Sequence, residues 1–215
     1  MWRLRTGSPW RDLPSEIGSW KRVYNSFNRW SASGLIARVF ESFQDEADCE
    51  WNMVDATINR VHQHAAGSRK ESERAMGRSK GGLSTKVHMV SDAHGNPIRF
   101  SVTEGQRHDA VEAPHLLRNT VANVVIGDKG YDSNLLRTQL SNTGAIPVIP
   151  YRETTKTRDY AFDKDLYRAR HVVENLFAKL KQQRAFATRY DKLKRNYEAV
   201  VAMACTVIWV TLLRN

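Results

Sequence analysis

Tyr167, Arg170, Glu174 and Lys181 stand at i, i+3, i+7 and i+14, and at about 100° per residue that spacing gathers all four within roughly 60° of arc on a helix. The stripe runs about 21 Å at 1.5 Å per residue. Glu174 can therefore reach a metal ion while Arg170 and Lys181 hold phosphates on either side of it. Taken alone, the pattern is better read as an ordinary solvated face with an Arg170/Glu174 pair, which stabilises a helix by about 0.2–0.5 kcal/mol. A lone carboxylate does not hold a divalent cation for phosphoryl transfer, so the chemical reading stands only if partner acids exist.

Two aspartates qualify. Asp55 lies in Trp51-Asn52-Met53-Val54-Asp55-Ala56-Thr57-Ile58, a short and largely apolar run with the character of a buried strand. Asp128 closes a second such run, Val124-Val125-Ile126-Gly127, ahead of Lys129-Gly130-Tyr131-Asp132. A charge within or ending a core strand is costly unless something pairs with it, and a shared metal ion supplies a partner for both. Asp132 is expected to be the N-cap of a helix that starts at Ser133, which ranks it below Asp128 as a ligand.

A chain of 215 residues with 41% hydrophobic residues can bury one good core with a small appended unit, and its composition is not that of a disordered protein. The net charge of +10 suggests a polyanionic partner, and it is unevenly placed. Residues 60–86 hold seven Lys/Arg against two acids and residues 152–195 hold thirteen against six, so these two segments carry more than the whole net charge. A membrane surface is the competing partner, and the last helix argues against it. Ala199 to Leu213 is a run of fifteen uncharged residues, short of the roughly 18 to 20 that a span requires, and is expected to be a buried core helix. Met1 is followed by Trp, Arg, Leu and Arg rather than an apolar leader, so a cytoplasmic protein is expected, nucleoid-associated when bound to DNA. Cys49 and Cys205 are far apart and have no zinc-ligand spacing around them. His62 and His64 flank Gln63; such a pair is more often polar loop or DNA-facing than metal-binding, and neither is assigned as a ligand.

The elements that must position these residues follow from periodicity. Residues 1–48 read as a helical unit, with Trp2, Trp10, Trp20 and Trp30 at spacings of eight to ten and helical periodicity over Trp20–Trp30 and Leu35–Phe43, compatible with a helix-turn-helix. Ser19 and Ser33 are candidate N-cap or turn residues. From residue 49 to 215 the pattern is α/β. A basic Gly/Ser-rich loop, Ala65 to Leu83, follows the Asp55 strand. Ser84–Ser91 and Ile98–Thr103 then form a hairpin around Asp92-Ala93-His94-Gly95-Asn96-Pro97, giving three antiparallel strands in succession. A helix over Ala110–Leu117, a strand over Val121–Gly127, a helix over Ser133–Leu140 and a strand over Ala145–Ile149 precede the helix that bears Glu174.

This order is that of a ribonuclease-H-like mixed sheet flanked by helices, and the chain resembles the DDE transposases of bacterial insertion sequences, specifically the insertion-sequence-five group. The resemblance rests on Val54-Asp55-Ala56-Thr57, on Gly127-Asp128-Lys129-Gly130-Tyr131-Asp132, and on a Tyr-x2-Arg-x3-Glu-x6-Lys signature filled by Tyr167, Arg170, Glu174 and Lys181. Supporting stretches are Trp10–Pro14, Lys80–Lys86, Gly105–Asp109 and Arg189–Leu193, so the likeness covers nearly the whole chain. It implies Asp55, Asp128 and Glu174 as the catalytic, metal-holding triad, with Mg²⁺ or Mn²⁺, two ions in all, as cofactor. Tyr167, Arg170, Lys181, Lys80 and Lys86 are implied as DNA contacts. The implied reaction is cleavage at the element's terminal repeats and transfer of the freed 3′-OH into target DNA without a covalent protein–DNA intermediate, by a homodimer in the DNA complex. Members of the group usually carry further helical sequence ahead of the stretch matched by Arg5–Pro14, so residues 1–48 are expected to be a truncated or frame-split DNA-end-binding unit. The rival readings are a structure-specific nuclease of the same fold and an inactive DNA-binding relic or regulator.

Overall fold

The computed structural model describes residues 1–66, 74–79, 81–155 and 162–212. Its axis is β1 (Trp51–Val61), a strand buried on both sides: Met53 faces one helical layer and Val54 the other, and neither is exposed. β3 (Gly82–Ser91) runs antiparallel to β1 from Met53 to Arg60, and β4 (Pro97–Glu104) returns along β3. Between them the Asp92 carboxylate accepts the N–H groups of His94 and Asn96, and Gly95 takes the left-handed φ of +83° that closes the turn. On the other side of β1, β5 (Val124–Gly127) and then β6 (Ile146–Val148) add in parallel. The core order β4-β3-β1-β5-β6, with three antiparallel strands followed by two parallel ones, is the ribonuclease-H-like order expected from the sequence.

Two further strands complete the seven, and periodicity did not announce them. β2 (Gly77–Ser79) pairs with the start of β3, inside the stretch expected to be a loop, and β7 (Thr188–Arg189) pairs in parallel with the end of β1. Each is too short for an alternating pattern to register.

Helices cover both faces. α4 (Asp109–Leu116) and α5 (Asn134–Asn142) pack with Tyr131 against Val54, Val90 and Val125. The opposite face, with Met53, Met89, Val124 and Ile126, is covered by α7 (His171–Lys181), the short α8 (Arg184–Ala187) and α9 (Lys194–Leu212), and the same core takes in Leu4, Phe27 and Phe40 from α1 (Trp2–Thr6), α2 (Trp20–Ala32) and α3 (Leu35–Glu41). α2 and α3 form the expected hairpin, turned at Ser33 and Gly34 and packed on Trp10, whose ring lies 5.0 Å from Phe27. The uncharged run forms most of α9, where Trp209 is buried and donates its indole N–H to the Pro97 carbonyl at 2.8 Å. Among the described residues no helix is long and apolar enough to cross a membrane.

Arg189 is the buried polar hub of this frame. Wholly inaccessible to solvent, it donates to the carbonyls of Arg74, Ala75 and Asp191 and to the Thr85 hydroxyl, and its guanidinium lies 5.0 Å from the centre of the Tyr197 ring. Burial lowers its pKa to about 10, yet a planar fork of five N–H donors meets acceptors on three segments at once. Arg189→Lys keeps the charge and loses the fork, leaving buried carbonyls unpaired. It is expected to destabilise the fold by about 3 kcal/mol, read as a lower urea midpoint; an unchanged midpoint removes the hub role.

Candidate active site

The parallel register of β1 and β5 brings the first two acids together. Val54 and Gly127 are the last partners in that ladder, so Asp55 and Asp128 are the next residue on each strand, at the point where the strands part. Among the described residues, β1 next pairs on this side where Arg60 meets Thr188 of β7. Asp55 holds the N–H of Ala56 at 2.8 Å. Asp128 holds the N–H of Gly130 at 2.7 Å, capping a single 3-10 turn over Lys129–Tyr131. A Cβ on residue 130 would sit 2.8 Å from that same carboxylate oxygen, so only glycine lets the backbone approach the acid this closely.

The third acid arrives from the C-terminal helices, with a correction to the expected single stripe. α6 (Lys164–Arg168) ends before α7 begins, and across Ala169 and Arg170 the N–H groups bond back three residues rather than four. A 3-10 turn keeps helical φ and ψ but winds more tightly, which sequence periodicity cannot distinguish over one turn. Arg170 sits at this joint. Its guanidinium donates to Asp55 at 3.1 Å and also to Glu174, so the two carboxylates converge on one cation. Tyr167 precedes the joint, with its ring against Phe162, and Lys181 is exposed at the far end of α7.

The electrostatics record the crowding. Burial raises the Asp55 pKa, and Asp128 and Glu174 push it further in the same direction against the Ala56 N–H and Arg170. For Arg170 partial burial opposes the charge, but Asp55, Glu174, Tyr167 and Asp128 together raise its pKa. The Tyr167 phenol is raised by burial, with Asp128, Asp55 and Glu174 adding to it.

Two residues beside the acids were not picked out as site residues. Tyr131 is buried, its hydroxyl has no hydrogen-bond partner among the described residues, and its pKa is raised well above that of a free phenol, by burial and then by Asp109, Asp55 and Asp128. Asp109 approaches the same glycine as Asp128 and is held by Lys86 at 3.1 Å, with buried His88 behind it at 3.3 Å. Both lie in stretches quoted for the family likeness, but nothing in their spacing relates them to Asp55 or Asp128. Lys86, expected at DNA, is committed to Asp109 and to the Arg107 carbonyl. Lys80 lies outside the described residues.

Asp132 does not cap α5. Ser133 occupies the N-cap position, without a side-chain bond, and the Asp132 carboxylate instead accepts from Arg137 at 2.8 Å, the Arg152 N–H at 2.8 Å and the Thr155 hydroxyl at 2.7 Å. A carboxylate this buried is better compensated by a guanidinium and two further donors than by one helix amide.

Three carboxylates without sulfur or imidazole form a donor set suited to a hard cation. Among the described residues no three His, Cys, Asp or Glu side chains are grouped tightly enough to grip one ion, and Arg170 stands between Asp55 and Glu174 in the role of the cation.

Residues 52–209 match the family model described as a transposase DDE domain, and residues 1–40 match one described as a putative transposase of the IS4/5 family. A putative transposase for insertion sequence element IS6501 from Brucella ovis is 36% identical over 133 residues, covering 60% of this chain and 99% of that protein. The uncharacterized protein y4sN from Sinorhizobium fredii is 41% identical over 83 residues, 39% of this chain, and this chain spans 66% of its length. The Mos1 mariner paired end complex with Mn aligns at a TM-score of 0.35 with 9% identity, over 94% of this chain and 75% of that one. The fold assignment therefore rests on strand order rather than on that likeness.

The Asp132 cluster has a pH signature. Burial opposes its charge, but the Arg152 N–H, Thr155 and Arg137 outweigh that and lower its pKa below the ordinary 3.8. A carboxylate lowered in the folded state stabilises fully above its unfolded pKa and loses that contribution as pH falls through the folded one. Asp132→Asn should therefore cost about 1–3 kcal/mol at neutral pH and little once the pH is well below 3.8, as read from urea midpoints across that range. An equal loss at both ends contradicts the ion-pair account.

Proposed function

This chain belongs to the family of insertion-sequence transposases with a DDE domain, and we propose that it cleaves DNA at the ends of its element and joins the freed 3′-OH to target DNA at the site formed by Asp55, Asp128 and Glu174. The observation that carries this reading is the convergence of Asp55 and Glu174 on one guanidinium beside Asp128, at the opening of a parallel ladder. Opposed carboxylates at such a point call for a cation.

When bound there, a pair of Mg²⁺ or Mn²⁺ ions supplies Lewis acidity to the attacking and leaving oxygens of an in-line displacement. The carboxylates of Asp55, Asp128 and Glu174 would hold the ions. Arg170, released from the acids, donates both arms of its fork to a phosphate. Lys181 takes a phosphate further along α7, and Tyr167 lies beside the cleaved strand. In the first displacement a water oxygen bonds to phosphorus, the P–O3′ bond breaks, and the 3′ oxygen leaves as a hydroxyl. In the second the oxygen of that 3′-OH bonds to a target phosphorus, the target P–O3′ bond breaks, and the target 3′ oxygen leaves as a hydroxyl that takes the proton the attacking group gives up. No side chain becomes a covalent intermediate, so a Ser or Tyr nucleophile is not required. Residues 1–48 would bind the element's end, a role supported by the exposed cations Arg5, Arg11, Lys21, Arg22, Arg29 and Arg38, and the two ends would be paired by a homodimer.

Asp55→Asn, Asp128→Asn and Glu174→Gln should each reduce Mg²⁺-dependent cleavage by a hundredfold or more (about 3 kcal/mol) while DNA affinity stays nearly unchanged. Full activity in any one of them excludes that residue. A strand-transfer assay with a 3′-OH donor separates a transposase from a nuclease, which cuts without joining. Lys181→Ala should lower the slope of log affinity against log salt by about 0.9, the value for one phosphate contact on duplex DNA; an unchanged slope leaves Lys181 as a solvated surface residue.

A further inference from the structure

A cluster of three aromatic rings lies outside this site, where β1 and β7 end together. β7 pairs with β1 through Val61 and Arg189, and the next N–H, that of His62, donates to the Arg189 carbonyl at 2.9 Å. This fixes the His62 ring on Tyr190, stacked at 4.7 Å between centroids and 29° between planes. His64 approaches His62 edge-on at 4.5 Å, and its N–H donates to His62 Nδ1 at 3.3 Å.

None of the three rings belongs to a hydrophobic core. His64 is exposed, while His62 and Tyr190 are half-buried. The backbone beneath them is pinned by the buried fork of Arg189, one residue before Tyr190. Cations surround the cluster along the chain: Arg60, which precedes His62 on the outward face of β1, and Lys192 and Arg195, which follow Tyr190, are all exposed. At about 3.3 Å per residue, His62 lies roughly 23 Å along β1 from Asp55.

Rings held on a rigid strand end, one of them exposed and with exposed cations on the adjoining chain, are the chemistry that binds an unstacked nucleobase and its flanking phosphates. Resting on the transposase reading above, we propose that His62, His64 and Tyr190 form a stacking platform for an unpaired base of the bound DNA, with Arg60 and Lys192 at the adjacent phosphates.

The test uses the full chain and two DNAs of the same sequence, a blunt duplex and one with a short unpaired overhang carrying 2-aminopurine. Wild type should bind the overhang DNA more tightly and change the 2-aminopurine fluorescence. Tyr190→Ala and His64→Ala should each weaken overhang binding roughly five- to a hundred-fold, the range for loss of one stacked base. Blunt-duplex affinity and the salt slope should stay the same, since no charge contact is lost. Tyr190→Phe should restore binding. His64 is exposed, so its variant carries the test even if Tyr190→Ala fails to fold. Equal affinity of wild type for both DNAs, or variants within about twofold of wild type on the overhang DNA, overturns the platform while leaving the proposed reaction standing. A wild-type chain that binds neither DNA overturns both.

Discussion

The site depends on one register: Val54 opposite Gly127 at the end of a parallel ladder. It makes two aspartates neighbours where the strands part, and strands in a sheet lie only about 4.8 Å apart. Two unit charges about 5 Å apart repel by about 3 kcal/mol at an effective dielectric of 20. The fold therefore holds an unfavourable electrostatic arrangement at this point: burial raises the Asp55 pKa, and Asp128 and Glu174 add to that rise. Arg170, itself held charged by the same acids, is the protein's own answer to it.

The frame around that point is built on the opposite principle. Arg189 and Asp132 are also buried charges, but each is met by several donors or acceptors drawn from distant segments. The donors around Asp132 outweigh the cost of its burial, whereas Arg189 keeps a net cost, and both fix the backbone that they touch. At the site the compensation is incomplete: among the described residues the Tyr131 hydroxyl and Arg170 Nε are buried without a partner.

The 3-10 joint at Ala169–Arg170 connects the two. Continuous α-helical winding would also place Arg170 over Glu174, but the joint lets α6 and α7 each follow their own packing while Arg170 reaches across to β1. Lys86 shows the converse. A lysine that the family likeness implies as a DNA contact is paired here with Asp109.

The sequence alone determined the strand and helix order, the acids and the basic character of the chain. Those properties are written locally, in alternation, in an aspartate ending an apolar run, and in a stripe at helical spacing. It did not determine β2 or β7, which are too short to carry a period, nor the break between α6 and α7, since α and 3-10 turns share one dihedral region. Asp132 was misjudged for a related reason: an acid before a helix looks like a cap until a guanidinium from the next turn and a backbone N–H from Arg152 are seen to claim it. The placement of Tyr131 and Asp109 beside the triad was decided only by tertiary structure. Their distance from Asp55 is set by which strands pair and in what register, and that follows from burial summed over the whole sheet rather than from any spacing along the chain.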